Sequence, residues 1–78
     1  MCKARAEIEK ELLVFRNEII ENRDSYKRIH DINVRLTSYY ILNHLTPEDM
    51  HVFEDPVITE ILEQASEKWF SSMLNKGV

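Results

Sequence analysis

Apolar residues recur at alternating steps of four and three over residues 3–45, a stretch of 43 positions without glycine or proline. This spacing places the side chains on one stripe of an α-helix. Eight of the ten positions in this first row are apolar, and the row consists of Ile8, Leu12, Phe15, Ile19, Asn22, Tyr26, Ile29, Asn33, Leu36 and Tyr40. The pattern predicts one long helix over about residues 3–45, roughly 60 Å in length at 1.5 Å per residue.

The alternative is two helices, because the apolar pattern weakens between residues 22 and 33. Asp24 or Ser25 would suit the start of a second helix, since both residue types cap helix N-termini. Against a break, the first row continues in phase through Tyr26 and Ile29, and no glycine is present for a tight connection. We therefore favour one helix, with the two-helix arrangement as the alternative.

Two proline-containing segments predict the helices of the last third of the chain. The run from Thr46 to Asp49 reads as a cap, a proline at the first helical position and two acids in the first turn, so a short helix is expected at about 47–53. Asp55-Pro56 repeats the signal and predicts a helix over about 56–75. Its expected buried face is Ile58, Ile61, Leu62, Ala65, Trp69 and Met73. The fold class is all-α, with residues 1–78 forming a single domain.

A helix of that length has a longer apolar stripe than the C-terminal helix can cover. A second apolar row, Leu13, Ile20, Val34 and Ile41, makes the face wider than the seam of a two-stranded coiled coil. We therefore expect a homodimer in which the C-terminal helix folds back and two chains together form a helical bundle. The expected interface consists of Ile8, Leu12, Phe15, Ile19, Tyr26 and Ile29.

The cysteine count, the length of the apolar segments and the charges near the start of the sequence indicate the cellular compartment. Cys2 is the only cysteine, so no disulfide forms within the chain, and a lone thiol suggests a reducing compartment. No segment has the ~20 consecutive apolar residues that span a bilayer, and charged residues crowd the start of the sequence, unlike a secretory signal. These features predict a cytoplasmic protein without membrane association.

The sequence contains no recognisable catalytic motif. Glu48 and His51 have the i, i+3 spacing of a metal-binding pair, but the pair occurs once and two acids in a first helical turn are common. His30 and His44 lie elsewhere, and neither a nucleophile elbow nor a glycine-rich phosphate loop is present. We predict no enzyme activity, no catalytic residue, no metal and no cofactor.

The net charge of −4 is unevenly distributed. Residues 46–67 contain seven acids and no lysine or arginine. We predict that part of this segment binds a protein partner whose identity the sequence does not give, as a small regulatory module would. The alternative is an acidic outer face that contacts only water, which is the usual role of such charge runs. The expected contact surface, here called the acidic face, consists of Glu60, Glu63, Glu67 and the apolar anchor Phe70.

A mildly basic middle segment supplies the alternative function. A basic stripe of candidate nucleic-acid contacts consists of Arg16, Arg23, Lys27, Arg28 and Arg35. Acids precede two of these bases by four residues, in the pairs Asp24–Arg28 and Asp31–Arg35. Because that spacing and order favour ion pairs, the sequence favours a solvated, ion-paired helix surface over contact with nucleic acid, and nucleic-acid binding stays the alternative function.

Overall fold

The computed structural model describes residues 3–76 and is all-α over this range, which confirms the predicted fold class. It contains α1 (Arg5–Glu21), α2 (Tyr26–Leu42), a 3₁₀ helix (Pro47–Phe53) and α3 (Pro56–Lys76). The 3₁₀ helix and α3 each begin at one of the two prolines that the sequence singles out. Residues 1–2 and 77–78 lie outside the described residues, so the reducing compartment suggested by Cys2 stays a prediction.

The prediction of one helix over residues 3–45 is wrong, because a polar turn at residues 22–25 separates α1 from α2. The Asn22 side-chain Nδ2 donates to the Glu18 carbonyl oxygen at 2.8 Å and so caps the end of α1. Ser25 accepts a hydrogen bond from the Arg28 backbone N–H on its Oγ at 3.4 Å, and its own N–H donates to the Asn22 carbonyl at 2.9 Å. The side chains of Asn22 and Ser25 therefore stabilise a reversal of chain direction that contains no glycine.

The end of α2 has a left-handed residue. His44 has a φ of 53°, and it is the one non-glycine residue with positive φ among residues 3–76. The Leu45 N–H donates to the Tyr40 carbonyl at 3.0 Å and the His44 N–H to the Ile41 carbonyl at 3.2 Å. This pair of bonds is the Schellman motif that commonly terminates helices. It turns the chain so that Leu45 is buried beneath the 3₁₀ helix.

The core consists of two hydrophobic clusters. The larger one joins the three α-helices and contains Ile19, Ile29, Ile32, Ile58, Ile61 and Ala65. The smaller one contains Leu12, Leu36 and Leu45 and packs against side chains of the 3₁₀ helix. Four residues of the face predicted for α3 contribute to this core: Ile58, Ile61, Leu62 and Ala65. The prediction is wrong for the last two, since Trp69 is half-buried outside both clusters and Met73 is 58% exposed.

The residues predicted to form a dimer interface instead pack within one chain. Leu12, Ile19 and Ile29 are at most 1% exposed, so this fold leaves them no surface for a second protomer. The other three members are half-buried against the same clusters: Ile8, Phe15 and Tyr26. The mismatch in helix length that predicted the dimer does not arise, because α2 folds back on α1 and covers the apolar stripe.

Candidate interaction surface

The acidic face lies on one side of α3, with its four members spaced by three, four and three residues. In a helix this spacing forms one continuous row, and the buried residues Ile58, Ile61 and Ala65 occupy the opposite side. All four members are exposed, and Phe70 has 63% of its surface accessible to solvent. Two open concavities, of about 560 and 400 Å³, border the row and share Glu63.

The carboxylates of the acidic face take part in none of the ion pairs found among the side chains of residues 3–75. Those pairs are Lys3–Glu11, Arg5–Asp49, Arg16–Asp55, Glu18–Arg35 and the close approach of His51 to Glu9. Glu60 accepts a hydrogen bond from the uncharged Gln64 side chain at 3.2 Å. The negative charge of Glu60, Glu63 and Glu67 is therefore not neutralised by a basic side chain of the described fold.

Two other acids of the predicted acidic segment have structural roles. Asp55 accepts hydrogen bonds from the Val57 N–H and from Arg16, each at 2.8 Å, and these bonds, the backbone one first, lower the pKa of its carboxyl group. Asp49 accepts from the Thr46 N–H at 2.8 Å and pairs with Arg5, and its pKa is lowered for the same reasons in the same order. Asp49 and Asp55 therefore fasten the 3₁₀ helix and the start of α3 to α1.

The basic stripe is divided by the turn between α1 and α2, so its members do not follow one helix. Arg16 pairs with Asp55, and Arg23 donates to the Ile20 carbonyl oxygen at 3.0 Å. Arg35 pairs with Glu18 across the two helices at 2.8 Å rather than with Asp31, the partner expected from sequence spacing. Three of the five predicted nucleic-acid contacts therefore already have partners within the chain.

Lys3, Glu11 and Tyr39 form a small polar cluster that no motif in the sequence indicates. The Lys3 ammonium lies 2.9 Å from both carboxylate oxygens of Glu11 and 5.3 Å from the centre of the Tyr39 ring. The Tyr39 hydroxyl is buried and lacks a partner in full hydrogen-bond geometry. Its proximity, followed by the hydrogen bonds and charge of the Lys3 ammonium, lowers the pKa of the Glu11 carboxyl group. Burial, followed by the Glu11 carboxylate, raises the pKa of Tyr39 to about 12.

The predicted Glu48–His51 pair does not become a cluster of metal ligands. The His51 Nε2 lies 3.5 Å from a carboxylate oxygen of Glu9 on α1. Within residues 3–76, no three histidine, cysteine or acidic side chains converge as metal ligands would. None of the helices in that same range combines the length and the apolar character that crossing a bilayer requires.

Comparison with protein-family models, with curated proteins and with solved structures gives no significant match.

Proposed function

We propose that this protein is a non-enzymatic interaction module that binds a basic protein partner through the acidic face. The observation that carries the proposal is the row of exposed carboxylates on α3 that no lysine or arginine of the described fold neutralises. Asp49 and Asp55, which belong to the same acidic segment, pair with arginines of α1, whereas the three carboxylates of the acidic face do not.

The physical basis of such binding is charge attraction followed by apolar contact. Unpaired surface charges accelerate association with an oppositely charged partner, and salt screens them over about 8 Å at physiological ionic strength. Exposed carboxylates add little affinity alone, so the proposal also needs an apolar contact. Phe70 continues the same row and supplies a large ring next to Glu67, as aromatic residues commonly do at the centre of interfaces.

Charge reversal tests the proposal. The protein, carrying an affinity tag, is used to isolate partners from the cells that produce it, in parallel with the triple variant Glu60→Lys, Glu63→Lys and Glu67→Lys. We expect the variant to lose basic partners that the wild type retains, and we expect added salt to weaken their capture. Phe70→Ser alone should also weaken capture, by about tenfold or more if this ring is a central anchor.

A matched control reverses three other exposed acids that lie off α3, namely Glu7, Glu21 and Glu48. This control has the same net charge as the first triple variant, so it separates a local surface from overall charge. Equal loss of partners in both variants would refute a specific role for the acidic face. Circular dichroism establishes that all the variants keep the helical content of the wild type.

Nucleic-acid binding by the basic stripe is the alternative proposal. The internal pairing of Arg16, Arg23 and Arg35 makes it the weaker one, because nucleic acid would have to compete with existing contacts. A salt-dependent mobility shift of DNA or RNA that Lys27→Gln and Arg28→Gln abolish would favour it over protein binding.

Self-association also remains a proposal, although on a different surface from the first row. Val34 and Ile41 lie seven residues apart on one side of α2 and are 52% and 65% exposed, and the neighbouring Leu42 is 76% exposed. Light scattering of the wild type and of the double variant Ile41→Ser, Leu42→Ser tests this surface. A monomeric wild type at high concentration would refute self-association.

A further inference from the structure

A cavity of about 290 Å³ opens between the first turns of α2 and the last turns of α3. The rings of Tyr26, His30 and Trp69 line it, and Met73 borders it. A smaller cavity of about 90 Å³ is lined by the same three rings and extends to Ile29 in the core. Neither cavity is lined by a residue of the acidic face, so this region is separate from the proposed protein-binding surface.

The aromatic wall of the cavity is held in place by ring–ring contacts. The His30 ring stacks on the Trp69 ring with centroids 3.9 Å apart and planes within 6° of parallel. The Tyr26 ring meets the Trp69 ring edge-on, with centroids 6.1 Å apart and an angle of 69° between the planes. Because the three rings already support one another, an aromatic ligand would bind without having to assemble its own site.

Two opposite charges lie at the mouth of the cavity. Lys27 and Asp31 are one helical turn apart on α2, and both line the larger cavity. Neither takes part in an ion pair with any side chain that the structure describes, those of residues 3–75. Their order, base before acid, is the less favourable one for pairing with each other along a helix. A cation and an anion are thus both free to meet a ligand.

We propose that this cavity binds a small zwitterionic aromatic molecule, of the chemical class of an aromatic α-amino acid. The ligand ring packs against Trp69 and Met73, its carboxylate meets the Lys27 ammonium, and its ammonium group meets Asp31. The volume of about 290 Å³ lies near the lower limit for small-molecule sites, so it suits a ligand with one ring. A ligand with about a dozen non-hydrogen atoms should bind with a Kd on the order of 1 mM.

The chain provides its own probe, since Trp69 is its only tryptophan. Titration with L-phenylalanine, which does not absorb where tryptophan is selectively excited, should change Trp69 fluorescence saturably. Phenethylamine lacks the carboxylate and 3-phenylpropionate lacks the ammonium group, so each should bind about tenfold more weakly. L-Alanine, a zwitterion without a ring, should give no saturable change. Calorimetry provides a second measurement that does not depend on fluorescence.

Substitution of each charged residue tests its contribution to ligand binding. Lys27→Gln and Asp31→Asn should each weaken L-phenylalanine binding about tenfold without lowering helical content. Lys68→Gln and Asp24→Asn are matched controls, because both residues are exposed and line neither cavity, and they should bind like the wild type. Absence of saturable binding up to about ten times the expected Kd, or equal affinity for all three aromatic ligands, would overturn the proposal.

Discussion

Tyr39 combines a well-packed aromatic ring with a buried hydroxyl group that has no good hydrogen-bond partner. Its ring packs against Phe15 with centroids 5.6 Å apart, which places it beside the smaller core cluster. Its buried hydroxyl has no partner in full hydrogen-bond geometry and lies near the Glu11 carboxylate. A polar group left without a hydrogen bond costs free energy that a purely apolar ring would not.

We therefore predict that Tyr39→Phe keeps or raises the free energy of unfolding at neutral pH, by up to about 1 kcal/mol. The pKa of Tyr39 is raised from 10.0 to about 12 in the folded protein. Between pH 10 and about 12, Tyr39 is ionised in the unfolded chain but not in the folded one. The folded state therefore becomes less stable as pH rises through this range. Tyr39→Phe should remove this alkaline loss.

Urea unfolding at neutral pH and at a pH inside that window measures both effects. Tyr40→Phe is the matched control, since it removes a hydroxyl from the neighbouring position. A loss of more than about 1 kcal/mol in Tyr39→Phe at neutral pH would show that the hydroxyl makes a good hydrogen bond in the folded protein.

The end of α2 offers a test at the scale of the helix. His44 holds a left-handed φ of 53°, which costs a non-glycine residue roughly 1–2 kcal/mol. Glycine adopts this conformation freely but loses more entropy on folding, so we expect His44→Gly to raise the free energy of unfolding by about 0.5–1 kcal/mol. Chemical denaturation measures the change.

The adjacent residue is the matched control for that substitution. Asn43 has a φ of −100°, and its side-chain Nδ2 donates to the Tyr39 carbonyl at 3.0 Å. Asn43→Gly therefore gains nothing from relief of a left-handed conformation and loses a cap. If His44→Gly were as destabilising as Asn43→Gly, the left-handed geometry at residue 44 would be in doubt.

The helices differ in how far their boundaries follow from sequence. Pro47 and Pro56 mark helix starts because proline fixes φ and lacks the N–H that a first helical turn leaves unpaired. The turn at residues 22–25 gives a weaker signal, since Asn22 and Ser25 are also tolerated inside helices. The row continues in phase from Ile19 to Tyr26 because both residues face the same core from opposite sides of the turn.

At the scale of the whole molecule, the larger core cluster should dominate stability. We expect Ile19→Ala to lower the free energy of unfolding by about 2–5 kcal/mol, since Ile19 is fully buried where the three helices meet. Val14→Ala, on the same helix but 54% exposed, should change it by less than about 0.5 kcal/mol. Similar losses in both variants, measured by urea unfolding, would contradict this packing.

The candidate surfaces were only partly accessible to sequence reasoning. The exposure of Glu60, Glu63 and Glu67 can be predicted from sequence, because their helical spacing places them opposite Ile58 and Ile61. The cavity beside Trp69 cannot be predicted in this way, because it forms only when the turn between α1 and α2 brings Tyr26 and His30 next to α3. A predicted straight helix gives those rings no defined place relative to Trp69.

The polar turn at residues 22–25 also has a consequence for how the chain folds. It joins two helices of 17 residues each that are neighbours in sequence, and its hydrogen bonds span no more than four residues. Chains dominated by such local contacts close short loops first and reach the native state in microseconds to milliseconds. The α1–α2 hairpin can thus form early and provide Ile19 and Ile29 as a template on which α3 condenses.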